Sequence, residues 1–199
     1  SHYYERRSND DKVLKARQIG ITTSINTDFA ADAFTTPNLA VVVMCQDDDD
    51  VPMFMGKYKD LYRRLPEVVD IGGWEFKLKP ALGNDSDHLM TFPELGSEII
   101  IGTAGSIKIR RGKTIHRFHG TEVAFWPDST AIKVMAMVEG ALVKGGRKVE
   151  ESSPNGNSGY FFRSYNDAKQ KQIGRAFFYE WWWDREYMLR PEDKDAVDY

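Results

Sequence analysis

Residues 39–45, LAVVVMC, are apolar without a break. A strand with one wet face alternates apolar and polar side chains. A run with no polar member needs cover on both faces, the condition of an interior strand in a parallel sheet. Further strand candidates are residues 13–16, 98–104 (EIIIGTA), 115–123, 147–152 and 176–182. Between them, residues 22–34, 51–65, 131–142 and 160–171 read as helices, with Phe54, Tyr58, Leu61 and Leu65 at helical spacing. Residues 74–78 alternate as an edge strand would, and residues 83–96 read as a polar loop or insertion. Alternating strands and helices predict an α/β fold with a mostly parallel central sheet flanked by helices. Ligands of such sheets bind at the carboxyl ends of the strands.

At 199 residues a single domain over 1–199 is expected, large enough for a real core. A net charge of −3 gives no global argument for nucleic acid. Candidate DNA contacts are therefore local: Arg6-Arg7, Arg63-Arg64, Arg110-Arg111 with Lys113, and Lys144 with Arg147-Lys148. Each is read first as a solvated surface. Cys45 is the only cysteine, so no intrachain disulfide is expected and a reducing compartment fits. Neither a membrane span nor a signal peptide is expected. The chain opens Ser1-His2 without methionine and reads as a fragment.

Residues 15–23, KARQIGITT, join the first strand to the first long helix. They match a phosphate-binding loop, G-x-x-x-x-G-K-[ST], in part. Gly20 stands at the second glycine, and Thr22 and Thr23 bracket the hydroxyl position. Ile21 occupies the place of the usual lysine, while Lys15 and Arg17 put positive charge at the start of the loop, with Gln18 between them and Gly20.

Three further segments follow predicted strands or neighbour one. Thr121-Glu122 stands where many NTPases carry Asp-Glu, the Asp holding magnesium through its water shell and the Glu acting on the attacking water. Arg110-Arg111-Gly112 has the makings of a loop that reaches a neighbouring subunit's γ-phosphate. Residues 151–156, ESSPNG, place small hydroxyl groups at a strand end before a rigid turn, suited to sensing the γ-phosphate. Other conspicuous residues read plainly. Asp47 to Asp50 are consecutive and suit a helix first turn better than a metal site. His116 and His119, three apart on a strand, point to opposite faces and do not suit zinc. Trp181, Trp182 and Trp183 read as core and subunit packing on the last strand.

Together KARQIGITT at 15–23, VVVMCQDDDD at 41–50, IGTAG at 101–105, RRG at 110–112, HGTEVAFWPD at 119–128 and ESSPNG at 151–156 resemble the ATPase domain of the large terminase subunit of tailed bacteriophages, over nearly the whole chain. The resemblance implies a P-loop NTPase fold of the ASCE, RecA-like kind, binding ATP and Mg2+ and translocating double-stranded DNA into a procapsid. It implies phosphate contacts from Lys15, Arg17, Gln18, Gly20, Thr22 and Thr23, and magnesium contacts from Thr22 and Thr121. Glu122 resembles the catalytic glutamate and Arg111 the trans-acting finger, with Arg110 its rival. Ser153 and Asn155 resemble the coupling motif. Implied partners are DNA, a portal protein, a small terminase subunit and further copies in a ring, within the host cytoplasm. The departures are Ile21 for lysine, Thr121 for Asp, and only fourteen residues ahead of Lys15, where the family's adenine-recognising segment belongs. The family's nuclease domain is not expected here. Asp184, Glu186, Glu192, Asp193 and Asp195 belong to a tail, 184–199, read as a linker.

The residues alone leave other readings open: a helicase-like ATPase, a nucleotide-binding structural subunit that does not turn over, and a nucleic-acid-binding module without nucleotide.

Overall fold

The computed structural model describes residues 2–105, 114–171 and 174–183. Helix α1 (His2–Arg6) leads into β1 (Asp10–Lys15), then α2 (Ile21–Thr35), β2 (Ala40–Cys45) and α3 (Asp50–Arg64). A hairpin of β3 (Val68–Ile71) and β4 (Trp74–Lys77) precedes β5 (Leu89–Phe92), β6 (Ser97–Thr103) and β7 (Ile115–Thr121). After a short 3-10 helix (Val123–Phe125) come α4 (Asp128–Ala141), β8 (Leu142–Ser152), α5 (Gly159–Lys171), β9 (Arg175–Tyr179) and a second 3-10 helix (Trp181–Trp183).

Seven strands form one sheet in the order β5-β6-β2-β7-β8-β1-β9, and every described pairing is parallel except β5 with β6. This is the mostly parallel α/β sheet expected from the apolar runs. The run at 39–45 explains itself in the packing. Val41, Val43 and Cys45 face the core built with α2 and α3, whereas Val42 and Met44 face the core built with α4. Alternation along the strand therefore supplies both cores. Each such side chain, fully buried, contributes about 1.5–3 kcal/mol.

Three elements differ from expectation. The 83–96 segment contains β5, whose Met90 and Phe92 are fully buried at the antiparallel edge. Four residues carry too few alternations to stand out among polar neighbours. Residues 74–78 do not edge the main sheet. They pair with β3 across Gly72-Gly73, both at positive φ (65° and 87°), the backbone that a tight two-residue hairpin turn requires. Residues 181–183 are not strand: they wind into a 3-10 helix that leaves Trp181 and Trp182 about half exposed, so these two do not pack in this chain's core.

Arg147 and Lys148 also depart from the solvated-surface reading. Both are buried, with Arg147 on Asp28 at 2.5 Å and Lys148 on Glu139 at 3.0 Å. Arg7 and Arg63 are paired within the chain, to Asp28 and Asp60. Cys45 is a free, buried thiol. No described helix is long and apolar enough to cross a membrane.

Candidate functional site

Parallel pairing brings the carboxyl ends of β1, β7 and β8 to one edge, with β8 between the other two. The loop after β1 passes through two left-handed residues, Gln18 (φ 61°) and Gly20 (φ 77°), before α2 begins at Ile21. A glycine meets that demand without strain, whereas for Gln18 it is an uncommon conformation. The Ser24 amide donates to the Gly20 carbonyl to start the helix. Gly20, as cap residue, offers no side chain to the first-turn amides, and no acidic residue sits in that turn. These amides and the positive end of the helix are left to attract an anion.

A cleft of about 450 Å³ opens above this turn. Lys15, Gln18, Gly20, Thr22 and Thr23 line it from the end of β1, the loop and α2, Thr121 and Glu122 from the end of β7 and the residue after it, and Asp50, Phe54 and Lys57 from α3. Arg17 is exposed and is not among the lining residues. Arg110 and Arg111 lie outside the described residues, as do the acidic residues of the 184–199 tail.

The polar groups converge on two carboxylates. Glu122 follows β7 in a left-handed conformation (φ 53°, ψ 41°), uncommon for a residue with a side chain. Its Oε1 accepts from Lys15 Nζ at 3.1 Å, and its Oε2 accepts from the Ser153 amide at 3.0 Å and the Ser153 hydroxyl at 2.7 Å. Ser152 donates more weakly to the same oxygen, at 3.3 Å, and takes a bond from the Ala124 amide. Asn155 donates to the Ala124 carbonyl at 3.0 Å. The 151–156 turn is thus bonded to Glu122 and to the chain just beyond it.

Glu151, fully buried on β8, is the second carboxylate. Its Oε1 accepts from the Thr22 hydroxyl at 2.9 Å and faces His119 Nε2 at 3.4 Å. Lys15 Nζ lies 3.2 Å from Oε2, close enough for strong attraction but outside hydrogen-bonding geometry, so Oε2 has no hydrogen-bond partner among the described residues. Burial pushes its pKa up, but His119, the Lys15 charge and Thr121 outweigh that and hold it at about 2. The same pairing raises Lys15: burial alone would lower it, and Glu151 and Glu122 more than reverse the effect.

Behind Glu151 runs a buried polar chain. His119 Nδ1 lies 3.0 Å from Asn26 Oδ1, which also accepts from the Tyr58 hydroxyl at 3.2 Å. Exchanging the oxygen and nitrogen of the Asn26 amide turns both bonds round, so that Asn26 Nδ2 donates to His119 Nδ1 and to the Tyr58 oxygen and His119 Nε2 carries the proton that faces Glu151.

The sequence reading gave no part in the site to Glu151, His119, Asn26 or Lys57. A signal for Glu151 existed: Glu150-Glu151 falls in a strand meant for the middle of the sheet, where a carboxylate needs a partner. No group of three or more His, Cys, Asp or Glu among the described residues is arranged to cage a metal. Magnesium at a phosphate site is held largely by phosphate oxygens and water, so one or two protein oxygens suffice.

No protein-family model matches the sequence, and no curated protein matches it. Solved structures do match in fold. The large terminase ATPase domain of Thermus phage P74-26 superposes with a TM-score of 0.62 at 15% identity, over 91% of this chain and 79% of that one. The large terminase of a thermophilic bacteriophage, in complex with ADP, gives 0.62 at 14% identity, over 95% of this chain and 44% of that one. The Phi-28 gp11 DNA packaging motor gives 0.59 at 10% identity, over 98% of this chain and 62% of that one. This chain therefore spans less than half the length of the ADP-bound terminase. Its mostly parallel α/β sheet shares the fold of the large-terminase ATPase domain.

Proposed function

We propose that this chain is the ATP-hydrolysing motor domain of a viral terminase that moves double-stranded DNA into a procapsid. The observation that carries the reading is the convergence of Lys15, Glu122 and Ser153, from three separate sequence segments, beside the open amino end of α2. Lys15 and the loop amides after Gln18 bind the phosphates, and Gly20 lets the backbone approach them. Glu122 orients the attacking water and takes its proton. Ser153 and Asn155 sense what happens at Glu122 and pass it to the turn they begin. Arg111 completes the site of a neighbouring subunit in a ring, and Arg17 acts at the loop's outer rim.

Mg2+ fits the residues present. The Thr22 hydroxyl gives its proton to Glu151, which leaves its oxygen lone pairs for a cation, and Thr121 lines the same cleft. When bound, Mg2+ would supply positive charge to offset the negative charge of the phosphates. A portal protein, a small terminase subunit and DNA are the partners this function calls for, in the host cytoplasm.

The test is ATP turnover of the wild type and of Glu122→Ala, assembled at high concentration with DNA. Loss of the general base lowers the rate by roughly 10²–10⁴. Equal rates remove Glu122 from this role. A second reading, a nucleotide-binding subunit without turnover, draws on Thr121 in place of a carboxylate. Tight ATP binding with no phosphate release would favour it.

A further inference from the structure

Thr121 leaves the end of β7 without the carboxylate that would steady a magnesium-bound water. Its register partner on the neighbouring strand is Glu151. That residue is fully buried, yet its carboxylate is encircled by cleft-lining groups: Thr22 donates to it at 2.9 Å, Lys15 lies at 3.2 Å, and Thr121 stands alongside. We propose that Glu151, one strand over, supplies the carboxylate missing at Thr121 and holds the metal-binding hydroxyl of Thr22 in place, so that the metal site of this chain is built from β8 where β7 would ordinarily provide it. The inference rests on the nucleotide-binding reading above.

Three observations carry it. First, the Thr22 hydroxyl spends its proton on Glu151 Oε1, so its oxygen can act toward the cleft only as an electron-pair donor, which is what a hard cation needs. Second, Lys15 is shared between two carboxylates, so the described groups at its tip carry one negative charge in excess. A polyphosphate entering there meets repulsion unless a cation comes with it. Third, Glu151 Oε2 has the Lys15 charge beside it at 3.2 Å but accepts no hydrogen bond from the described residues, which leaves it lone-pair capacity for a metal-bound water. His119 and Asn26 fix the carboxylate from behind, as outer groups fix metal-site ligands. Glu151 is a positioning residue: it acts through Thr22 and bound water.

The experiment reads metal binding directly. Mn2+ is titrated by electron paramagnetic resonance in the presence of saturating ADP, and ADP affinity is measured separately in EDTA. Glu151→Gln is expected to weaken Mn2+ binding roughly 10–100-fold, the range for loss of an outer-shell partner, with ADP affinity in EDTA changed less than about threefold. Glu151→Gln/Thr121→Asp returns the carboxylate to β7 and is expected to recover most of the Mn2+ affinity. Should Glu151→Gln not fold, Glu151→Asp keeps the charge, draws it back from Thr22, and is expected to lose about tenfold in Mn2+ affinity. Unchanged Mn2+ affinity in the folded variant overturns the proposal, as does an equal loss of metal-free ADP affinity, which would make Glu151 merely structural. A wild type that binds ADP with no metal dependence overturns it alone. A wild type that binds no ADP under any condition overturns the nucleotide reading as well.

Discussion

Lys15 Nζ and Glu122 Oε1 are 3.1 Å apart, although 107 positions separate the two residues in sequence. In the function proposed above the same ammonium serves an incoming phosphate, so the two acidic partners that hold it also compete with the ligand for it.

Glu122→Gln weakens that competition. The variant is expected to bind ATPγS about three- to tenfold more tightly than wild type, the worth of one charge-assisted hydrogen bond spread over several contacts, while turnover falls. Isothermal titration alongside phosphate release checks both. Weaker binding in Glu122→Gln would mean that Lys15 needs Glu122 as a support.

Ser153 gives Glu122 two bonds, one from its amide and one from its hydroxyl. Ser153→Ala removes the shorter and leaves the other. Turnover is expected to fall by about tenfold, with ATPγS affinity within about twofold, because a bond to a charged group is worth roughly 1.5–3 kcal/mol and only part is felt in the transition state. Steady-state kinetics separate the two effects. An unaltered kcat would detach the 151–156 turn from catalysis.

The pH dependence of stability follows from Glu151. Its carboxyl is held at about 2 in the folded chain against an ordinary 4.5, so between these values the unfolded chain binds more protons than the folded one. Stability therefore rises with pH across that window: the contribution is fully present above about pH 5 and is lost as pH falls through 4.5 toward 2. Urea midpoints measured from neutral to acid pH should fall less steeply in Glu151→Gln than in wild type. Parallel curves would show that other carboxylates set the acid limb.

Tyr58 is fully buried, and its hydroxyl ends the chain through Asn26 and His119 to Glu151. Tyr58→Phe keeps the ring and deletes one bond to Asn26. The expected cost is about 1 kcal/mol in unfolding free energy, read from urea denaturation. Asn26→Ala leaves both neighbours without it and is expected to cost more, roughly 2–3 kcal/mol. Equal losses would mean that Asn26 does not link Tyr58 to His119.

Gly20 sits at φ 77°, and a Cβ there would meet nothing within 4 Å. Gly20→Ala is thus opposed by backbone strain alone, about 1–2 kcal/mol. Gly20→Asn, which tolerates that conformation better, is expected to retain more nucleotide affinity than Gly20→Ala by fluorescence titration. The reverse order would show that space above the loop, and not its backbone, is what matters.

The long periodic elements were legible because burial writes itself into sequence at short range. LAVVVMC required cover on both faces, and Phe54, Tyr58 and Leu61 marked the inner side of α3. Short elements carried no such signature. The four residues of β5 took their form from pairing with β6, and the tryptophans at 181–183 form only a single 3-10 turn. Glu122 and Ser153 were assigned roles from their segments, yet nothing local indicated that they bond to each other. The buried pairs of Arg147 and Lys148 were equally hidden, since a basic cluster reads the same whether solvated or paired.

By itself the sequence determined the alternation of strands and helices, the mostly parallel sheet, and the glycine that opens α2, because hydrophobic period and backbone freedom are properties of neighbouring residues. Only the tertiary structure decided that β8 lies between β1 and β7, and hence that the carboxylate beside Thr22 comes from Glu151. Strand order brings residues about 130 positions apart within a hydrogen bond's reach, and no local pattern encodes it.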